Sequence, residues 1–362
     1  MGLSSQTIRK YLQNLDPKIL GLREIKSITI RKLGIGESNL NYLATVGREK
    51  FIVRIGMDPK STCKTRREYD SLKIVEPLGI APKGFHFEPS RGYMEEAFII
   101  LEYLEGTSLD KNKEIDDHVI TMLARLVANL HNTNIEKITQ HLQKHKSSKT
   151  DILHGIERRI NYIKTKRKIY FDQKGTFECI LTVSYEKLQK FKFGQEPLYV
   201  LGHGDVAPQN VILFEDRLKL VDWEDLGLID PALEVAIIFD SFDFSERQKR
   251  LFLKEYETMR RDIRLRKRIS LYWPFQLFNV FCWSVMHVYE IGEREMHKEF
   301  LKEQDLRGHI SYAQKMFSKC KKAGIIDKNA VWNPSEVFPK KYLKASLRKT
   351  GGFKQTLYNA NF

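Results

Sequence analysis

The sequence predicts an α+β protein of two lobes, an N-terminal antiparallel sheet with one helix followed by a mainly helical C-terminal lobe. Three observations carry this. Strand-length apolar runs recur between residues 27 and 55, two of them joined by a short turn. One helical stretch then precedes a further apolar strand. From about Asp110 the apolar spacing becomes helical, with short strand-like interruptions only at 198–221. At 362 residues the chain is long for a single core and suits two packed units. The expected divisions are 1–104, 105–330 and a basic tail over 331–362.

Each element has its own signal. Residues 1–26 read as an amphipathic helix and a lead-in, with Ile8, Leu12, Leu15 and Ile19 near helical spacing. Residues 27–31 alternate as a strand, and 40–46 and 50–55 follow, with Gly47-Arg-Glu as the hairpin turn. Between the first two lies Gly34-Ile-Gly-Glu-Ser-Asn39. Backbone amides of such a loop, at Gly34, Gly36, Ser38 and Asn39, suit phosphate oxygens, although an ordinary hairpin loop has the same spacing. A helix over 64–75 carries Glu68 and ends before Pro77-Leu-Gly79. Residues 97–104 form a buried strand stopped by Glu105-Gly106. Over 120–131, Leu123, Leu126, Val127 and Leu130 share one helical face.

Composition narrows the function. Hydrophobic residues at 42% and aromatic residues at 11% are ordinary for a folded protein. No apolar run approaches the length needed to cross a bilayer. The N-terminus lacks a signal-peptide pattern and has Gln6 where a myristoylation motif needs Ser or Thr. A cytoplasmic protein without membrane insertion is expected. Cys63, Cys179, Cys282 and Cys320 form no CxxC pair, which points to free thiols rather than zinc ligands or disulfides. The net charge of +15 favours anionic partners such as nucleotides. Residues 137–175 and the segment from Pro339 concentrate that charge. Nucleic acid is an alternative partner that charge alone does not favour.

The chemistry concentrates in Leu201-Gly-His-Gly-Asp-Val-Ala-Pro-Gln-Asn210 and the following Leu218-Lys-Leu-Val-Asp-Trp-Glu224. Asp205 sits on a tight His-Gly-Asp turn. Asn210 leads into the strand 211–213, and a second strand, 218–221, returns to Asp222. A hairpin of this length sets Asn210 and Asp222 at the same end. An amide oxygen and a carboxylate there suit Mg²⁺, which takes few protein ligands and completes its shell with phosphate and water. Asp205 beside them is a candidate to accept a proton from an attacking hydroxyl.

These residues resemble the catalytic loop and metal-binding strand of the aminoglycoside phosphotransferase and choline kinase families, relatives of the protein kinases. Asp230-Pro-Ala-Leu-Glu-Val-Ala236 resembles the families' Asp-Pro-x-x-Asp-Leu-Ala, with Glu234 in place of Asp. The resemblance runs from about residue 27 to 320 and is sharpest over 201–236. It implies a two-lobed protein-kinase-like fold, with ATP and Mg²⁺ as cofactors. It further implies Asp205 as catalytic base or hydroxyl-orienting residue, Asn210 and Asp222 as metal ligands, and His203 as a brace of the turn. The cation on the third strand would be Arg54, where most of these families use Lys and choline-kinase-like members commonly use Arg, and its carboxylate partner Glu68. A surface arginine is the other reading of Arg54. Glu102, Tyr103 and Leu104 resemble the hinge whose main chain holds adenine.

Only seven residues separate Asp222 from Asp230, which leaves no room for the activation segment that presents peptides in protein kinases. The expected function is therefore transfer of the ATP γ-phosphoryl group to a hydroxyl of a small molecule. The alternative is a kinase-fold nucleotide-binding regulator or nucleic-acid-associated protein without that activity. Tyr272, Trp273 and Trp283 are candidates for caging a quaternary ammonium or, equally well as patterns, for plain core. The overall basic charge argues mildly against a polycationic acceptor, and the sequence does not choose the acceptor.

Overall fold

The computed structural model describes residues 5–35, 39–56, 61–89, 93–111, 114–136, 146–171, 175–192, 199–293 and 306–347. The chain opens with helix α1 (Ser5–Asn14), which buries Ile8 and Leu12. Pro17 then sets a turn of 3-10 helix, Pro17–Leu20, capped by the Asp16 side chain on the Lys18 N–H. The helix thus ends earlier than its apolar spacing predicts, and Ile19 is exposed.

Five antiparallel strands follow: β1 (Ile28–Ile35), β2 (Asn39–Val46), β3 (Glu49–Gly56), β4 (Gly84–Glu88) and β5 (Phe98–Glu102). Their order in the sheet is β1-β2-β3-β5-β4. Helix α2 (Ser61–Val75) crosses one face and α1 covers the other. Successive side chains of a strand point to opposite faces. Phe51, Val53 and Ile55 therefore join α1, whereas Ile52 packs towards α2 and the second lobe. Arg54 shares the Ile52 face, which is why it meets Glu68 of α2 rather than solvent.

The second lobe begins at β6 (Thr107–Ser108), α3 (Asp117–His131), β7 (Lys146–Ser147), α4 (Lys149–Tyr170) and α5 (Thr176–Gln189). It continues through β8 (Val200–Gly202), β9 (Val211–Phe214), β10 (Arg217–Leu220) and β11 (Gly227–Ile229). Helices α6 (Pro231–Ser241), α7 (Glu246–Met259), α8 (Leu265–Glu293), α9 (Leu306–Lys322), α10 (Pro334–Val337) and α11 (Lys340–Leu347) complete it. Two three-stranded sheets, β10-β9-β6 and β7-β11-β8, carry the catalytic-loop segments. A separate core joins α4, α5, α8 and α9 through Ile156, Phe177, Phe281 and Phe317. Val337, Phe338 and Tyr342 are buried in that same core. Three apolar side chains of the expected basic tail thus pack into this core, while Lys340 and Lys341 beside them are exposed.

Much of the charge on α4 is spent inside the fold. Arg167 pairs with Glu178 at 3.3 Å, Lys166 with Glu293, and Lys164 donates to Thr182. No described helix is long and apolar enough to cross a membrane. The four cysteines are free thiols, Cys63 and Cys179 exposed and Cys282 and Cys320 buried.

Two buried polar networks hold the loops around β8 and β11. In the first, Asp230 caps α6 by accepting from the Ala232 N–H and is fully buried. Arg268 of α8 donates to both Asp230 oxygens and to both oxygens of Asp262. In the second, fully buried Glu234 accepts from the Gly204 N–H at 2.7 Å and from His131 Nε2 at 2.5 Å. The other ring nitrogen of His131 meets the Tyr256 hydroxyl at 2.7 Å. Burial alone would raise the Glu234 carboxyl, but the hydrogen bond and charge of His131 outweigh it and hold the group below the ordinary carboxylate range.

Arg268→Ala leaves Asp230 buried beside no matching cation, so urea unfolding is expected to give a stability loss of about 3–5 kcal/mol. A loss within error of zero would contradict the clamp. For Glu234, a depressed pKa means stability that is present above the ordinary carboxylate pKa and lost as pH falls through the lowered value. Glu234→Gln is expected to cost about 1–3 kcal/mol at neutral pH and to flatten the acid-side decline of stability. Unfolding curves measured from pH 7 down to pH 2, through the region below the ordinary carboxylate pKa, check this, and parallel declines for both proteins would contradict it.

Candidate active site

The turn Leu201–Asp205 leaves β8 in a space only glycine fits. A Cβ on Gly202 would lie 2.1 Å from Ile229 Cγ2, and Gly204 has φ +86 with the Asp225 carbonyl oxygen 2.7 Å from its would-be Cβ. Glu234 fixes the turn through the Gly204 N–H. His203 then reaches both ways from a fully buried position. Its Nδ1 accepts from the Asp205 N–H at 3.2 Å, and its Nε2 donates to the Val221 carbonyl at 3.0 Å. Burial lowers its pKa, against smaller opposing effects from Glu234 and the Val221 carbonyl. One donor and one acceptor are what a neutral imidazole supplies.

Trp223 packs on His203 with ring centroids 4.5 Å apart and donates from Nε1 to the Leu220 carbonyl at 2.8 Å. Between Val221 and Trp223, Asp222 takes a left-handed conformation, φ 67 and ψ 63. A non-glycine residue in that region is strained, and here the flanking contacts impose it. The hairpin β9–β10 runs from Asn210 back to Val221, whose N–H donates to the Asn210 carbonyl at 3.0 Å. Asn210 Nδ2 donates to the Asp205 carboxylate at 2.9 Å and to its carbonyl at 3.0 Å. That leaves the amide Oδ1 as the atom available to a cation.

Arg54 enters from the other lobe. Its Nη2 donates to Asp222 Oδ1 at 2.7 Å, and its Nε lies 3.2 Å from Glu68 Oε2. Burial opposes its charge, but Asp222 and Glu68 more than offset this and hold the guanidinium above its ordinary range. Glu68 is pushed up to about 8 by burial, Arg54 pulls the other way, and Asp222 and Glu224 add to the rise. Burial, helped by Asp222, also raises Glu224. Three carboxyl groups thus lie around Arg54, with Lys64 3.9 Å from one of them, Glu224. A half-buried carboxylate and an amide oxygen side by side fit a divalent cation. Asn210 and Asp222 are the residues that would hold Mg²⁺.

These groups share a cleft of about 1300 Å³ between the lobes, lined among others by Asn39, Arg54, Asp205, Asn210 and Asp222. Gly34 lies on β1, across from Asn41 of β2. Gly36 and Ser38 lie outside the described residues. The hinge segment is not on the wall of this cleft. The Glu102 side chain instead accepts from the Lys83 N–H at 3.0 Å and pairs with Lys219 at 3.6 Å, while its own N–H donates to the Lys83 carbonyl. Lys50 lies over the Tyr103 ring. The Glu102 side chain and N–H therefore brace the β4–β5 edge.

The aromatic candidates separate. Tyr272 is buried, burial and the nearby Asp230 raising its hydroxyl. Trp273 lies under the Lys249 ammonium at 4.7 Å. Only Trp283 lines the cleft, stacked 4.9 Å from His287. The three do not form a cage, because Trp283 lies about three helical turns beyond Tyr272 and Trp273 along α8. Sequence reasoning missed the brace of His131 and Tyr256 behind Glu234, and it missed Arg159 of α4, which lines the cleft and donates to Asn279 at 2.8 Å. The substitution of Glu at position 234 was the only local sign of the first.

Known proteins place this geometry. Residues 29–267 match the model of the phosphotransferase enzyme family, APH. Protein LicA of Haemophilus influenzae is 22% identical over 232 residues, covering 64% of this chain, and the chain spans only 63% of the length of that relative. Among solved structures, Plasmodium vivax ethanolamine kinase superposes with a TM-score of 0.63 at 16% identity, covering 88% of this chain and 89% of that one. The choline kinase LicA of Streptococcus pneumoniae gives 0.57 at 20% identity, covering 86% and 99%. These likenesses show the two-lobed kinase fold. With more than half of its length matched to the family model, the chain belongs to the phosphotransferase enzyme family.

Proposed function

We propose that this protein transfers the γ-phosphoryl group of ATP to a hydroxyl of a small molecule, with Mg²⁺. The observation that carries the reading is the meeting of Asp205, Asn210 and Asp222 from one lobe with Arg54 from the other at a single cleft. Asp205 would accept or orient the acceptor's hydroxyl proton, held by Asn210 and by the His203-anchored turn. Asn210 and Asp222 would hold the cation, which when bound neutralises charge on the transferring phosphoryl group. Arg54, steadied by Glu68, would bind nucleotide phosphate oxygens with its planar guanidinium.

The relatives' names, choline kinase and ethanolamine kinase, suggest an amine-bearing alcohol as the acceptor. The acidic residues Asp110, Glu114, Asp116 and Asp225 on the cleft wall support a cationic group there, despite the basic chain as a whole. The internal pairing of Lys164, Lys166 and Arg167 weighs against the alternative in which α4 serves nucleic acid.

Release of ADP across a panel of hydroxyl metabolites tests the reading. Asp205→Ala is expected to lower turnover about 10²- to 10⁴-fold while the nucleotide dissociation constant stays within a few-fold of wild type. Unchanged turnover in that variant would remove Asp205 from the chemistry. Tight nucleotide binding with no ADP release from any acceptor would favour a regulatory role instead.

A further inference from the structure

Arg159 stands apart from the other cations of the cleft. Arg54 is matched by Glu68 and Asp222, and Arg247 by both oxygens of Asp117 at 2.7 Å. Arg159 has no carboxylate within ion-pairing distance among the described residues. Its one hydrogen bond goes to a neutral amide, from Nη1 to Asn279 Oδ1 at 2.8 Å. Among the described residues its Nε is buried without a hydrogen-bond partner. Burial lowers its pKa and the nearby Arg158 adds to this, while Cys282, Asp225 and Glu290 give only partial compensation.

A half-buried guanidinium left short of counter-charge costs stability unless something repays it. Arg159 is also fixed in place. It projects from α4, anchored in the second core through Ile156, Ile160 and Ile163, and its Nη1 lies against Gly155, 3.0 Å from where a Cβ would sit. Gln276, Asn279 and Trp283 of α8 line the same cleft, and Asn279 touches Arg159 directly. Two neutral amides, an indole and one unmatched guanidinium make a surface that recognises an anion beside an uncharged or aromatic-contacting body. Asp205 lies on the wall of the same cleft.

We infer that the acceptor carries an anionic group, a carboxylate or a phosphate, that binds Arg159 while its hydroxyl faces Asp205. This deepens the kinase reading and rests on it for the identity of the hydroxyl. With the acidic residues elsewhere on the wall, the chemistry fitted best is a zwitterionic hydroxy compound rather than a simple amino alcohol. Arg159 would then be a specificity-determining residue, acting on acceptor affinity rather than on the phosphoryl step.

Calorimetric titration of the full-length, Mg·ADP-loaded protein with matched compounds tests this. The pairs are choline against carnitine and ethanolamine against serine, and a third set compares glycerol with glycerate and glycerol 3-phosphate. The anion-bearing member is expected to bind at least about 10-fold tighter in at least one pair, and the last set tells carboxylate from phosphate. Arg159→Gln should erase the preference, Arg159→Lys should restore part of it, and neither should move the ADP dissociation constant. Equal or weaker binding of every anion-bearing member, or a preference that survives Arg159→Gln, would overturn the inference. Selective anion binding without ADP release from ATP would leave the inference standing and defeat the kinase reading alone. Release of ADP with anion-free acceptors, indifferent to Arg159, would do the reverse.

Discussion

The buried imidazole of His203 joins the Asp205 N–H on one side to the Val221 carbonyl on the other, and the spacing of the catalytic loop and metal strand depends on it. Protonation would put a second donor against the Asp205 N–H, so the turn keeps this geometry only while the ring is neutral. Burial provides that condition, since a charged ring there would lose its hydration. Trp223, the residue after Asp222, packs over the ring and donates to the Leu220 carbonyl, while Glu234 holds the residue before Asp205. The strained backbone of Asp222 is thus enclosed by fixed neighbours on both sides, which is how a costly conformation persists at a functional position.

Charge in the cleft runs opposite to charge on the chain. A net +15 describes the whole sequence, yet several cations of α4 are tied to Glu178, Glu293 or Thr182 and never reach a ligand. At the centre, Asp222, Glu68 and Glu224 crowd around Arg54, and burial raises Glu68 against the pull of Arg54, with Asp222 and Glu224 adding to the rise. A divalent cation at Asn210 and Asp222 would offset that crowding of carboxyl groups. The proposed acceptor side has the opposite imbalance at one point, Arg159. The proposals for the cation and for the acceptor rest on these two local mismatches.

The placement of Asp205, Asn210 and Asp222 was legible because their relations are local. Asn210 and Asp222 are joined by one hairpin, and Asp205 and Asn210 by five residues of loop, so sequence spacing fixes their placement. Arg54 and Glu68 were legible through strand alternation and the helix that follows. The strand β4 escaped because Gly84-Phe-His-Phe-Glu88 is a half-exposed edge with polar residues, and it exists only by pairing with β5. The His131–Glu234–Tyr256 brace spans more than a hundred residues of sequence, and the Arg159–Asn279 contact joins α4 to α8, so no spacing rule reaches either. The aromatic run of α8 misled for a related reason. Trp283 follows Trp273 by ten residues, so its ring sits on the cleft wall while Tyr272, buried, and Trp273, under Lys249, lie about three turns away along the helix.

The account centres on Asn210 and Asp222 as the pair that brings a divalent cation to the nucleotide. Titrating ADP into wild-type protein with and without Mg²⁺, and repeating this with Asp222→Ala, addresses that pair directly. The account predicts that Mg²⁺ tightens nucleotide binding in the wild type by at least about 10-fold, and that the substitution abolishes the difference. Magnesium dependence that is absent from the wild type, or undiminished in the variant, would contradict it.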